Sequence, residues 1–128
     1  MLQFHGSETP EFCRSFNKPY IKAVGIEGLK DFTAYADQYH DALAILIDSH
    51  ALGKAGGTGK TFDWQLLPKG YNKPIILAGG LNPDNVADAI KQTSVYAVDL
   101  SGGVESAPGV KSKAKIDALM QEVKGINA

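Results

Sequence analysis

A single cysteine, Cys13, stands among the 128 residues. That excludes an intrachain disulfide framework and fits a reducing compartment. No apolar run is long enough to cross a bilayer as a helix. Residues 1–6 carry neither the basic region nor the cleavage signal of a secretory leader, so a cytosolic protein is expected. Neither charge sign dominates: 13 basic and 14 acidic residues leave a net charge of -1. That balance gives no electrostatic reason to expect nucleic acid or an anionic membrane as partner. The 3 histidines, His5, His40 and His50, show no metal-ligand spacing, so no metal is expected. Low-complexity segments, linkers and a second domain are also missing.

What remains is an ordinary globular composition, 44% apolar and 21% charged, in a chain long enough for one core. Five apolar runs alternate with five helix-like segments. The strands are expected over residues 2–4, 20–24, 43–47, 74–78 and 95–100. The first helix begins at Thr9-Pro10 and carries Phe12, Cys13 and Phe16. The second, about residues 28–39, places Leu29, Phe32, Tyr35, Ala36 and Tyr39 on one face. A short third helix is expected around residues 64–67. The fourth, over 86–93, is introduced by Asn82-Pro83. The last, from Ser112 to about Val123, spaces Ile116, Leu119, Met120 and Val123 as one stripe.

Strict alternation argues for a parallel sheet with helical crossovers. The run Leu43-Ala44-Ile45-Leu46-Ile47 does not alternate, which suits a strand covered on both faces. Either a doubly wound open sheet or part of an eight-stranded barrel satisfies this pattern. A complete barrel needs about 250 residues, rarely as few as about 200, so the expectation is a partial (β/α)8 barrel occupying residues 1–128 as one domain. The chain enters a strand-like run at once, which suggests that part of the architecture lies outside these residues.

In both architectures ligand-facing residues lie at strand C-terminal ends. Those positions hold His5, Asp48, the pair Gly79-Gly80, and Asp99 followed by Ser101-Gly102-Gly103. Two neighbouring strands ending in amide-rich turns make a cradle for an anion, usually a phosphate. Asp48 follows five apolar residues, and desolvation there would raise its pKa and prepare it to donate a proton. The plainer alternative is that Asp48 caps the following loop. His5 is open to the same doubt, because a lone histidine after a strand is more often a hydrogen-bonded structural residue. Cys13, on the apolar side of its helix, reads as inert packing.

Residues 49–63 form a long glycine-rich connection, read as a flexible active-site loop. Within it, Gly53 to Thr61 invites comparison with a nucleotide-binding P-loop. The spacing fails, because Gly53 stands one position too far from Gly59 and Lys54 occupies the required glycine position.

Several stretches together closely resemble the phosphoribosylanthranilate isomerase family of tryptophan biosynthesis. They are Leu2-Gln3-Phe4-His5-Gly6, Ile47-Asp48-Ser49, Gly56 through Trp64, Leu77 through Val86, Val98 through Glu105, and Pro108-Gly109-Val110-Lys111. The family usually has a second serine where Gly102 stands, a change that a backbone contact would survive. The resemblance implies a full barrel, of which this chain resembles the fourth strand through the eighth helix. Three units, roughly 75–95 residues at about 30 per unit, would then be missing. In the family the first strand ends in a cysteine that serves as general base, and the second carries an arginine that helps bind the anthranilate; neither has a counterpart here.

The implied reaction is an Amadori rearrangement of an aminoaldose to an aminoketose, with no cofactor or metal. By position Asp48 would be the general acid and His5 would lie beside the anthranilate or ribose. Amides of Gly79, Gly80, Ser101, Gly102 and Gly103 would hold the phosphate, with Asp99 among the substrate-binding residues and Lys60 a loop residue without direct contact. The expected partner is a phosphorylated small molecule, and the isolated chain is expected to be inactive or nearly so. Two other readings stand beside this one. The chain could be a non-catalytic half-barrel whose open edges associate with another copy or an N-terminal fragment. It could also be another phosphate-binding barrel enzyme.

Overall fold

The computed structural model describes residues 1–27, 29–51 and 63–126. Five parallel strands form one sheet in the order β1 (Leu2–Phe4), β2 (Tyr20–Glu27), β3 (Ala44–Ala51), β4 (Ile75–Ala78) and β5 (Ala97–Asp99). Each crossover moves one position in the same direction. Among the described residues the reversal of strand order that defines a doubly wound sheet does not occur. Among the described residues β1 and β5 each pair on one side only, so both are edges.

Strand parity then sorts the side chains. Tyr20, Val24, Ile45, Ile47, Ile75 and Leu77 point to the face that the helices cover, where they meet Cys13, Ala36, Tyr39 and Ala89. Among the described residues the opposite face carries a small apolar cluster of Ala23, Leu46 and Ala78 with Ile21 and Ile76 against it. Gln3, His5, Asp48 and Asp99 share the parity of that second face, beyond its apolar patch.

The helices α1 (Pro10–Arg14), α2 (Phe32–Asp37), α3 (Val86–Thr93) and α4 (Lys113–Ile126) account for four of the five expected. Thr9 caps α1 through the Phe12 amide, and Asp31 caps α2 through the Ala34 amide. The expected third helix is instead a 3-10 turn, Trp64–Leu66, too short to propagate as an α-helix. Gly28, the expected start of the second helix, and the glycine-rich segment 52–62, with Lys60 and the whole of the rejected P-loop, lie outside the described residues.

The boundaries of β2, β3, β5 and α2 differ from the sequence reading, α2 covering Phe32–Asp37 rather than about residues 28–39. β2 and β3 run on to Glu27 and Ala51, because each supplies ladder partners for the other past Gly25 and Asp48. β5 is shorter than residues 95–100. A small antiparallel hairpin, β6 (Glu105–Ala107) and β7 (Val110–Lys111), follows β5 and was not foreseen. Its turn is Pro108-Gly109 with Gly109 at φ 78°, a left-handed value that glycine adopts without strain. The α4 stripe is only half covered: Ile116 and Met120 remain 37% and 46% exposed. Among the described residues no helix is long and apolar enough to cross a membrane.

Candidate active-site cleft

All eight residues singled out at strand ends border one cleft of about 330 Å³, together with Ala78, Leu81, Asn82 and Leu100. Its two sides are built differently. On one side stand two side chains, His5 just after β1 and Asp48 within β3. The other side is backbone, from the turns that follow β4 and β5.

Asp48 is buried, with 4% of its surface exposed. His5 Nε2 lies 3.2 Å from Asp48 Oδ2, and Gln3 Nε2 lies 3.3 Å from His5 Nδ1. With the Gln3 amide nitrogen turned toward it, Nδ1 accepts and the ring proton falls on Nε2, donated to Asp48; the two roles go together with that tautomer. The pair joins β1 to β3 across β2. In that register the partner of Asp48 is Gly25, which puts no side chain between them. Two strand spacings, about 9.6 Å, are thereby bridged by an imidazole and a carboxylate.

The opposite wall follows from glycine geometry. Gly79 and Gly80 take φ values of 94° and 69°, a conformation that side-chain-bearing residues adopt only under strain. The turn is held from behind: Asn85 Nδ2 donates to the Gly80 carbonyl at 3.0 Å, and Asn85 Oδ1 accepts from the Asn82 amide at 2.8 Å. Asn82 Oδ1 in turn accepts from the Asp84 and Asn85 amides. Asn82, expected to cap the helix with Pro83 at its first position, instead holds the turn before it: α3 begins at Val86 and its N-cap position is Asn85.

After β5, Ser101 leads into a 3-10 turn, Gly102–Val104. A Cβ on Gly103 would lie 1.8 Å from the Leu81 carbonyl oxygen, so the two turns pass in contact that only glycine permits. Lys111 from β7 donates to the Ser101 carbonyl at 3.0 Å and to Glu105 Oε2 at 2.7 Å. The Lys111 hydrogen bond holds the Glu105 carboxyl below its ordinary range. Asp99 ends β5 exposed at the cleft mouth.

Cys13 is fully buried among the helices, and burial pushes its thiol up. It does not border the cleft, in keeping with the packing role read from its position. Among the described residues no group of three His, Cys, Asp or Glu side chains could hold a metal ion. A wider groove of about 1010 Å³ lies at the other end of the sheet, where Pro74, Val95 and Tyr96 precede β4 and β5. None of the strand-end polar groups lines it.

Sequence reasoning passed over Lys22, Gln3, Asn85 and Lys111. Lys22 is 0% exposed and lies on the helix-facing side of β2. Taking an ammonium out of water costs several kcal/mol, so a buried lysine persists only with strong partners. Its signal was present as a lone charge inside the run Tyr20-Ile21-Lys22-Ala23-Val24.

The cleft can be set beside known proteins. Residues 1–122 match the family described as N-(5'phosphoribosyl)anthranilate (PRA) isomerase. The N-(5'-phosphoribosyl)anthranilate isomerase of Pseudomonas fluorescens (strain SBW25) is 53% identical over 124 residues, covering 97% of this chain and 59% of that protein. The crystal structure of phosphoribosyl anthranilate isomerase from Thermus thermophilus superposes with a TM-score of 0.80 at 35% identity, covering 98% of this chain and 62% of that one. A phosphoribosyl anthranilate isomerase solved with reduced 1-(o-carboxyphenylamino)-1-deoxyribulose 5-phosphate gives a TM-score of 0.72 at 33% identity, covering 96% of this chain and 58% of the other. The chain thus spans about three fifths of the length of these relatives. With a parallel sheet wound in one direction and a matching family over residues 1–122, this chain belongs to the N-(5'-phosphoribosyl)anthranilate isomerase family.

Proposed function

We propose that these residues supply the acid and the phosphate grip of a phosphoribosylanthranilate isomerase, on the wall of a partial (β/α)8 barrel. The observation that carries this reading is the pairing of a buried carboxylate with two interlocked glycine turns across one small cleft. The substrate phosphate would sit on amides of Gly79, Gly80, Ser101, Gly102 and Gly103, with Asp99 at the mouth of the same subsite. Held there, the ribose ring points toward Asp48.

Asp48 would protonate the furanose ring oxygen, breaking its bond to C1 and opening the ring to an iminium ion. The Nε2–H of His5 would stabilise the carboxylate left behind, besides lying against the anthranilate or ribose. Removal of the C2 proton then gives an enolamine, which tautomerises to the ketone. In the family a cysteine after the first strand takes that proton, and these residues resemble the fourth strand onward. Cys13, the lone thiol, lies buried among the helices and does not reach the cleft. As an isolated polypeptide the 128 residues should therefore turn over slowly or not at all, since losing the base alone costs about 10²–10⁴ in rate.

Two measurements test this. The reduced deoxyribulose 5-phosphate analogue bound by the relative should bind this chain more tightly than inorganic phosphate and perturb His5 and Asp48 in NMR spectra. Binding no tighter than phosphate would remove the reading. Isomerase turnover by the purified chain, lost in Asp48→Asn, would refute the missing base while retaining the acid.

A second reading concerns association, because β1 and β5 each leave one edge open among the described residues. Phe12 and Phe16 beside β1 are 50% and 46% exposed, and Tyr96 before β5 is 80% exposed. Such edges recruit strands, from another copy or from an N-terminal fragment. A stable, well-folded monomer in a sizing experiment would count against it.

A further inference from the structure

Among the described residues Lys22 is the one fully buried charged side chain of the core, and the chemistry above does not use it. Its ammonium donates to the Gly6 carbonyl at 2.6 Å and to Glu8 Oε1 at 3.4 Å, and lies 5.3 Å from the centre of the Tyr39 ring. Glu8 Oε1 also accepts from the Gly6 amide at 2.9 Å. The Gly6 residue is therefore held from both sides, its carbonyl on Lys22 and its N–H on Glu8. Tyr39 anchors the same loop by donating its hydroxyl to the Glu8 carbonyl.

Gly6 is the residue directly after His5. The direction in which the chain leaves β1 sets where the imidazole goes, because His5 lies beyond the last ladder position, Phe4 paired with Lys22. Lys22 thus belongs to the helix-facing side of the sheet yet fixes a turn that delivers a side chain to the opposite side. We propose that Lys22 is a positioning residue: by clamping the Gly6 carbonyl it holds His5 in the orientation and tautomer that meet Asp48. This rests on the reading of His5 and Asp48 as the acid end of the cleft. Lys22 acts through backbone and touches no reacting atom.

The position of the His5 ring proton is the readout, since a role in stability alone would not move it. The 128-residue chain is labelled with ¹⁵N, and ring nitrogens are recorded at about pH 8.5, above the ordinary imidazole range. His5→Gln assigns the His5 signals. In the parent chain His5 should show two well-separated ring nitrogens, a protonated Nε2 and an accepting Nδ1. In Lys22→Met that separation should narrow as the tautomers exchange, while the affinity for inorganic phosphate at the glycine turns stays unchanged. Lys22→Arg, which keeps a cation, should restore part of the separation.

A folded Lys22→Met with an unaltered His5 spectrum overturns the proposal. If circular dichroism shows that Lys22→Met does not fold, Glu8→Ala removes the other half of the clamp from a less buried position, and an unaltered His5 spectrum there overturns it equally. No substrate enters this test. Failure of the chain to bind the deoxyribulose 5-phosphate analogue would count against the isomerase reading, and an unmoved tautomer against the role of Lys22.

Discussion

The two walls of the cleft meet the same solvent at the same end of one sheet, yet they are made of different matter. The wall from β1 and β3 consists of side chains, His5 on Asp48 with Gln3 behind, steered by a buried lysine. The wall from β4 and β5 consists of backbone, with Gly79 and Gly80 at positive φ and Gly103 pressed on the Leu81 carbonyl. A side-chain wall tolerates changes in its backbone provided the groups still meet. A backbone wall admits no Cβ where two turns touch. Proton transfer needs titratable groups, whereas an anion that is only held needs amide dipoles, so the division matches the tasks proposed for the two walls.

The backbone wall is most sensitive at Gly103. Gly103→Ala puts a Cβ within 1.8 Å of main chain that cannot rotate away. We expect a loss of about 3 kcal/mol or more in urea unfolding, with phosphate binding abolished. An alanine variant of full stability would show that the turns are not interlocked.

Asn85→Ala comes next. It removes the bonds to the Gly80 carbonyl and the Asn82 amide, at a cost of about 2 kcal/mol. Phosphate affinity should fall while the His5 ring spectrum stays as it is, because the change is confined to the backbone wall. Spread of the effect to His5 would merge the two walls into one unit.

Gly79→Ala should cost about 1.5 kcal/mol, the strain of a side chain at positive φ. Thermal unfolding of the variant against the parent measures it.

The smallest effect lies on the side-chain wall and depends on pH. Burial pushes the Glu8 carboxyl up, but hydrogen bonds from the Glu8 and Gly6 amides and the Lys22 ammonium outweigh it, leaving Glu8 below its ordinary value of 4.5. A carboxyl lowered in the folded state binds its proton more tightly when unfolded. The stabilisation is then fully present above about pH 4.5 and fades as pH falls toward the folded value. Urea midpoints of the parent chain should drop over that window more than those of Glu8→Gln. Equal slopes would remove Glu8 from the clamp.

Much of this was legible in the residues themselves. Asp48 stood out as the polar residue closing a five-residue apolar run, although β3 carries on past it to Ala51, and glycine pairs after apolar runs announced the turns. Thr9-Pro10 and Ser112 marked helix starts that the hydrogen bonds bear out at Phe12 and Lys115. The residues after Asp63 predict a helix and form a 3-10 turn, because a span of three residues cannot offset the cost of nucleation. Lys22 was passed over because its partners lie 14 and 16 positions away, and no local pattern encodes a meeting over that distance.

The sequence alone determined the alternation of strand and helix, the parallel sheet and the polar set at the strand ends, since these depend on periodicity and turn chemistry within a few residues. Tertiary structure alone decided that the strands run in simple sequence, and that Gly25 leaves room for His5 to reach Asp48. It also decided that Gly103 must be glycine because Leu81 lies against it. Each of those depends on which segments become neighbours, and neighbours are chosen by the packing of the whole sheet rather than by any stretch of chain.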